Sequence, residues 1–291
     1  MYFDLCVADD GNLATRRAFA EMAIRLGYDG LAFETVLTGR LQKNHRSNFE
    51  AVQVEVPKES DLELQSGFLR LSDRKRRLRQ FSRLTVVLRD AAQASSLSQA
   101  KQAIESYDLV AMQPTDERTF VQACQNIDCD VISLDMGAKR LFKLKFRAIS
   151  AALQRGVYFE VKLAPALDEQ NRVNFVANVS TLLRLTRGKQ LVFSSGADAP
   201  IAMRSPHSLM ALASLFGAKR NLAQTCVSDT SHSLLVRAAS RRTTKQLFDA
   251  RPASHQTDEW KRVPSAAKPE HERPAADVED EPPQKKQRTS K

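Results

Sequence analysis

Four acidic residues and a serine pair stand at or near the ends of predicted strands, where an α/β protein presents its reacting groups. The acids are Asp4, Glu34, Asp135 and Glu160, and the serines are Ser194 and Ser195. Paired carboxylates can act as general acid and base. The structural alternative is that such residues are polar strand ends, hydrogen-bonded to loop backbone.

Histidine is too scarce to support metal chemistry at these positions. A metal-dependent barrel hydrolase needs several histidines near its strand ends, because neutral imidazoles hold zinc and similar ions. Only His45, His207 and His232 precede the C-terminal tail, and none falls on a predicted strand. A serine nucleophile would require a GxSxG elbow, and Ser194-Ser195-Gly196 lacks the first glycine. The sequence therefore predicts no catalytic residue, no metal and no cofactor.

Positive charge, in contrast, is concentrated in loops and at helix ends. Residues 74–79 hold five basic residues in six, continued by Arg83 and Arg89, and residues 139–147 interleave five basic residues with two phenylalanines. Cations spread in this way can contact phosphates and make binding salt-dependent. The alternative is a solvated face whose Lys and Arg stems cover apolar surface. The predicted nucleic-acid contacts are Arg74, Lys75, Arg76, Arg77, Arg79, Lys139, Arg140, Lys143, Lys145, Arg147, Arg187, Lys189 and Arg204.

The elements that must position these residues alternate between strand and helix. Short apolar segments predict strands at 2–7, 29–34, 84–88, 107–112, 130–134, 157–161 and 190–195, with a further possible strand at 51–56. Helical periodicity fills most intervals. Continuous apolar strands in this alternation predict a parallel sheet covered by helices, and their number predicts a TIM-like (β/α) barrel of seven or eight strands. An open doubly wound sheet is the alternative, although residues 9–12 supply only one of the glycines that its first turn usually has.

Composition divides the chain into a predicted barrel at 1–240, with an insertion at about 38–82, and a disordered tail. The tail, 241–291, contains charged residues and prolines but almost no large apolar residue, so it cannot bury enough surface to offset its ordering entropy. Within it, Lys285, Lys286 and Arg288 follow two prolines and resemble a nuclear import signal.

Overall composition limits the partners and the compartment. The net charge is +10, of which residues 1–240 carry +7 (32 basic against 25 acidic residues), so the folded part is itself basic. A basic folded domain favours a polyanionic partner, most commonly nucleic acid, although a basic protein without such a partner remains the alternative. Four cysteines without CxxC spacing predict buried free thiols. We expect an intracellular, soluble protein, since neither a signal peptide nor a membrane span is evident.

Several short segments, in order, carry a resemblance to a known family. They include Leu26-Gly27-Tyr28-Asp29, Arg83-Leu84-Thr85-Val86-Val87, and the stretch from Lys189 to Pro206 with its Met203-Arg204-Ser205-Pro206. Across roughly residues 1–240 the chain resembles the TIM-barrel protein subunit of archaeal and eukaryotic ribonuclease P, which eukaryotic RNase MRP shares.

The resemblance implies a barrel that is related to metal-dependent polymerase-and-histidinol-phosphatase barrels but lacks their metal ligands. It implies no activity for the isolated chain: the RNA subunit removes the 5′ leader of precursor tRNA, and the protein binds RNA and a small RRM-like partner. It also implies a nuclear, and specifically nucleolar, location. The other function that the sequence leaves open is a barrel hydrolase acting on a phosphorylated substrate.

Overall fold

A computed structural model describes residues 1–42, 44–54, 78–90, 93–94, 96–97, 100–139 and 141–242. Its central feature is one parallel sheet of seven strands in the order β1 to β7, each paired with its neighbours in sequence. The strands are β1 (Phe3–Ala8), β2 (Gly30–Leu37), β3 (Arg79–Leu88), β4 (Leu109–Pro114), β5 (Val131–Ser133), β6 (Tyr158–Lys162) and β7 (Leu191–Ser194).

The sheet curls into a nearly closed barrel whose seam lies between β1 and β7. An isolated parallel bridge joins Val7 to Ala197, just after β7. The backbone N–H of Ala8 donates to Ala197 at 2.9 Å, and the N–H of Gly196 donates to the carbonyl of Cys6 at 3.0 Å. The prediction of a parallel (β/α) barrel is therefore confirmed, with seven strands in the described residues and a short loop contact at the seam.

Helices surround the barrel, because the strands are apolar on both faces and the outer face must be covered. In chain order they are α1 (Leu13–Leu26), α2 (Lys101–Glu105), α3 (Glu117–Gln125), α4 (Phe146–Gln154), α5 (Ala164–Leu167), α6 (Glu169–Thr186), a 3₁₀ turn (Pro200–Ala202), α7 (Pro206–Leu215), α8 (Arg220–Val227) and α9 (Asp229–Arg242). Local chemistry sets their ends: Asn12 accepts from the N–H of Ala14 at 2.9 Å to begin α1, and left-handed Gly27 ends it.

The last helix, α9, lies across the amino end of the barrel, the end at which the strands begin. Its Leu234, Leu235 and Ala238 pack with Phe3 and Tyr158, which are at the starts of their strands. Its arginines bond groups just before the strands: Arg241 donates to Asp130 at 3.1 Å, and Arg237 to the carbonyl of Cys129 at 3.0 Å. This end of the lumen is thus filled with apolar side chains and covered by α9.

The region after β2 differs from the sequence expectation. Residues 51–54 of the possible strand at 51–56 have no regular secondary structure, and the rest of it lies outside the described residues. The side-chain amide of Gln80 bonds both the N–H and the carbonyl of Val52, at 3.0 and 2.6 Å, so a side chain takes the place of a neighbouring strand. β3 begins at Arg79, five residues earlier than expected and inside the predicted insertion.

The four cysteines are buried free thiols, as expected. None of the helices in the described ranges combines the length and the apolar character that crossing a bilayer requires. The first two residues of the predicted tail, Arg241 and Arg242, are described and end α9. The rest of that tail, 243–291, with its import signal at Lys285, Lys286 and Arg288, lies outside the described residues, and the division at residue 240 stays a prediction.

Candidate functional site

Charged side chains meet inside the barrel, towards its carboxyl end, the end at which the strands finish. They are Glu34 on β2, Arg83 on β3, and Glu160 and Lys162 on β6. Alternate residues of a strand face opposite sides. Because β3 and β6 are not neighbours in the sheet, their side chains can meet only across the lumen. We call these four residues the lumen quartet.

The quartet is a closed set of ion pairs. The Arg83 guanidinium donates to both carboxylate oxygens of Glu160, and also to the carbonyl of Leu5 at 2.6 Å. The same guanidinium lies 3.4 Å from Glu34. The Lys162 ammonium donates to the two oxygens of Glu34 at 2.7 and 2.9 Å. Two cations therefore neutralise two carboxylates, and Arg83 and Glu160 are each only 1% exposed.

Electrostatics fixes the charge state of both glutamates. Burial alone raises the pKa of Glu34, but the nearby charges of Arg83 and Lys162 and the hydrogen bonds outweigh it and hold that pKa at about 2. Burial is likewise overcome at Glu160, whose pKa is lowered by the Arg83 guanidinium. Hydroxyls of Thr85 and Ser194 donate to Glu34 and Glu160 respectively. Carboxylates that are ionised and engaged in this way are poor proton donors, so the arrangement favours structure over acid–base chemistry.

Asp4 is buried nearby, and no cation among the described residues pairs with its carboxylate. Its Oδ1 accepts from the N–H groups of Ser195 and Cys6, at 3.1 and 3.3 Å, which ties β1 to the loop after β7. Its Oδ2 has no hydrogen-bond partner among the described residues. Burial raises the pKa of Asp4 to about 6 against the lowering effect of the Ser195 hydrogen bonds. Asp4 therefore stabilises the seam as a backbone acceptor, which is the structural role weighed for it from the sequence.

The other predicted strand-end groups do not join a reactive arrangement. Ser194 is bonded to Glu160, and the hydroxyl of Ser195 accepts from the N–H of Ala197 at 3.3 Å. Asp135 is exposed, and its carboxylate accepts from the N–H of Gly137 at 3.1 Å.

The three described histidines are dispersed. His45 lies in the irregular segment after β2, His207 at the start of α7 and His232 on α9. Within the described part of the chain, no three His, Cys, Asp or Glu side chains converge as metal ligands do.

The predicted nucleic-acid contacts that the structure describes lie at both ends of the barrel and not on one surface. Lys139, Lys143, Lys145 and Arg147 are exposed after β5, at the carboxyl end, and Lys145 pairs with Glu117. Arg187 and Lys189 are exposed before β7, at the amino end, where half-buried Arg79 also begins β3. Arg204 is exposed between the 3₁₀ turn and α7. Arg74, Lys75, Arg76, Arg77 and Arg140 lie outside the described residues.

The sequence prediction is wrong for one cation. Arg83, expected to continue the basic cluster at 74–79, is buried in the lumen quartet. The signal for this is its position in a strand otherwise buried on both faces, since a charge there requires a partner across the lumen. That partner, Glu160, is 77 residues away in sequence.

Comparison with known proteins identifies the family. The family model described as RNase P subunit p30 matches residues 1–243. The chain belongs to the p30 family. The described residues of the barrel all lie within the matched region, so the lumen quartet and the exposed cations belong to the part of this chain that matches the family.

Named relatives agree with this assignment. The chain is 30% identical over 239 residues to "Protein GAMETOPHYTE DEFECTIVE 1" of Arabidopsis thaliana. The aligned region is 80% of this chain but only 41% of the Arabidopsis protein. It is 27% identical to "Ribonuclease P protein subunit p30" of Mus musculus, covering 83% of this chain and 87% of the mouse protein. A chain in a cryo-EM structure of archaeal ribonuclease P with mature tRNA has the same fold, with a TM-score of 0.59 at 12% identity, covering 84% of this chain and 95% of that one.

Proposed function

We propose that the chain is a non-catalytic protein subunit of the ribonuclease P and RNase MRP ribonucleoproteins, and that it supports RNA-catalysed removal of the 5′ leader of precursor tRNA. Membership of the p30 family supports the subunit role. The observation that carries the non-catalytic part is the lumen quartet. Where a barrel enzyme keeps its reacting groups, this chain keeps two carboxylates neutralised by Arg83 and Lys162.

The partners of this proposal are RNase P RNA, RNase MRP RNA and, indirectly, precursor tRNA. A small RRM-like subunit is the proposed protein partner, and no membrane is involved. The net charge of +10 supports a polyanionic partner. The proposed location is the nucleus, and within it the nucleolus, with Lys285, Lys286 and Arg288 as the import signal.

Purification of the tagged full chain from its own cells tests the proposal. We expect RNase P RNA and MRP RNA to co-purify, together with cleavage of precursor tRNA at the 5′ leader. Digestion of the eluate with micrococcal nuclease, followed by its inactivation with EGTA, should abolish cleavage while leaving the protein intact. Cleavage that survives loss of the RNA would show that protein catalyses the reaction.

The purified chain alone, supplied with Mn²⁺ or Zn²⁺, tests the absence of catalysis directly. We expect no turnover of a generic phosphoester. Turnover that a Glu160→Gln variant abolishes would place an active site in the lumen and overturn the proposal. A folding check by circular dichroism is needed for that variant, because it leaves Arg83 without its main partner.

The basic cluster at 74–79 has its own test. Neutralising Arg74, Lys75, Arg76, Arg77 and Arg79 together should weaken RNase P RNA binding by more than about 1 kcal/mol in a filter-binding titration. Unchanged affinity would assign the cluster to a solvated face.

A further inference from the structure

Five exposed cations lie on two segments that come together at the amino end of the barrel. Arg184 is in the last turn of α6, Arg187 and Lys189 follow it before β7, and Lys219 and Arg220 stand at the start of α8. We call these five residues the basic patch. The two segments are about 30 positions apart in the chain, so it is the fold that brings them together.

Gly188 holds the two turns together. It has a left-handed backbone, with φ of 71°, and lies between Arg187 and Lys189. A Cβ at this position would come 2.2 Å from the side chain of Leu222, in the first turn of α8. Leu222 thus packs directly on Gly188. This contact brings the turn before β7, with its cations Arg187 and Lys189, towards the start of α8. Arg187 itself is left-handed, with φ of 53°, a conformation unfavourable for a side chain with a Cβ.

The start of α8 concentrates positive potential further. Its N-cap residue, Lys219, makes no side-chain capping bond, and its first turn contains no acidic residue. The first N–H groups of the helix therefore lack a side-chain cap, and they give this end of the helix a partial positive charge. Lys219 and Arg220 add two full charges where the helix dipole disfavours cations. In the free chain these cations and the start of α8 repel one another, and a bound anion would reduce that repulsion.

The surrounding sequence supplies almost no compensating charge. Residues 170–228 contain seven Lys or Arg but one acidic residue, Asp198. In the described part of the chain, none of the five patch residues forms an ion pair, whereas the α9 arginines at the same end pair with Asp130 and Asp108. The basic patch is therefore charge left without a structural partner.

We propose that the basic patch binds the phosphates of an RNA backbone, with the cations around the oxyanions and the start of α8 donating N–H groups to them. Arginine forks and backbone N–H groups at a helix start are the donors that suit phosphate oxygens. The inference rests on the proposed function for the identity of the RNA. It adds a specific surface, at the end of the barrel opposite Lys139 to Arg147.

Variants of the full chain in which cations are replaced by neutral glutamine test the site. The patch variant is Arg187→Gln/Lys189→Gln/Lys219→Gln/Arg220→Gln. The control removes four exposed cations from α1, α2 and α3, with Arg17→Gln/Arg25→Gln/Lys101→Gln/Arg118→Gln, so the two variants have equal net charge. Each is titrated with labelled RNase P RNA of the same organism over a series of KCl concentrations.

The patch variant should bind at least tenfold more weakly at about 100 mM KCl, and its slope of log K against log[KCl] should be shallower by about three. The control should lose less than threefold. Equal losses would mean that only overall charge matters, and no loss in the patch variant would mean that RNA does not use this surface. Either result overturns the proposal.

Lysine acetylation provides a readout that needs no substitution. In the complex of the natural chain with RNase P RNA, Lys189 and Lys219 should be protected from acetylation, as measured by mass spectrometry, while Lys101 stays reactive. Full reactivity of both patch lysines in the complex would contradict the inference. Protection by polyglutamate but not by RNA would assign the patch to an acidic protein segment and would equally reject an RNA site.

The two proposals fail in distinguishable ways. If the natural chain purifies without RNase P RNA, the proposed function fails. If the natural chain brings that RNA down and the patch variant binds it with unchanged affinity and salt dependence, only the basic patch is rejected.

Discussion

The lumen quartet and the basic patch use the same cationic residue types in opposite ways. In the lumen, Arg83 and Lys162 are enclosed and each contacts a carboxylate. In the patch, Arg187 and Lys219 are exposed, and no described acidic residue pairs with them. A buried charge must be paired because desolvation is expensive, whereas an exposed one can remain free at little cost. Buried, paired charges therefore contribute to the stability of the fold, whereas exposed, unpaired charges remain free to bind a partner.

The largest expected effect comes from removing the cation of the quartet. Arg83→Leu leaves Glu160 buried without its main partner and should lower the free energy of unfolding by about 3–5 kcal/mol. Arg89→Leu is the matched control, because Arg89 lies one residue beyond the same strand and is exposed. We expect that variant to stay within about 0.5 kcal/mol of the natural chain in urea titration.

A double variant sharpens this measurement. Arg83→Leu/Glu160→Leu removes both members of the pair and leaves Glu34 with Lys162, so it should recover much of the loss, since buried pairs can be replaced by apolar groups at small cost. Equal effects of Arg83→Leu and Arg89→Leu would end the distinction between paired and free cations.

Asp4 is the next test, because it is buried like the quartet but pairs with no cation in the described part of the chain. Its folded pKa of about 6 lies above the ordinary 3.8. Its neutral form is therefore favoured by folding, and that contribution to stability is complete below pH 3.8 and is lost as pH rises through 6. At pH 7.5 the loss is about 3 kcal/mol. The neighbouring Glu160 has a lowered pKa and stays ionised in this window.

Asp4→Asn should retain the acceptor for the Cys6 and Ser195 N–H groups but should not titrate. Its unfolding free energy, measured relative to the natural chain, should rise by about 2.4 kcal/mol between pH 4 and pH 7.5, because the unfolded carboxyl is already partly ionised at pH 4. Urea titrations at both pH values measure it. A difference independent of pH would show that Asp4 has the same proton affinity in the folded and unfolded chain.

Arg241 is an intermediate case, since it lies at the same end of the barrel as the patch but is paired. It donates to Asp130, which is fully buried. Arg241→Gln should lower the free energy of unfolding by about 1–3 kcal/mol, because a hydrogen bond to a buried charge is lost. Arg242→Gln, whose pair with Asp108 is more exposed, is the control and should cost at most about 1 kcal/mol in the same assay.

The barrel was predictable because its signals are local. Apolar strands such as 84–88 and 157–161 recur at regular intervals, and a turn residue such as Asn12 caps the helix that follows. The start of β3 was not predictable in the same way. Three of the four residues at 79–82 are polar, and the segment joins the strand because neighbouring β2 pairs with it from Gly30 onwards. The ends of such a strand depend on which strand pairs with it, and strand pairing cannot be read from local sequence.

The candidate sites depended on contacts between distant residues, and so they were only partly visible in the sequence. Residue types distinguished carboxylates from cations, but not which cations face inward: Arg83 and Arg89 look alike in sequence. Alternation along a doubly buried strand could have indicated that Arg83 needs a partner. Nothing in the sequence places the turn at Gly188 beside the start of α8, because that approach depends on Gly188 packing on Leu222.

The smallest expected effect on stability is at the basic patch. Arg187→Gln/Lys219→Gln removes two like charges that have no structural partner, so the melting temperature should change by less than about 2 °C, with any change upward at low salt. Raising KCl should shrink even that difference, because exposed charges are screened over about 10 Å at 0.1 M. Differential scanning calorimetry at low and high KCl measures both effects. A clear loss of stability would mean that these cations have a structural partner, and they would then belong with the lumen quartet rather than in contrast to it.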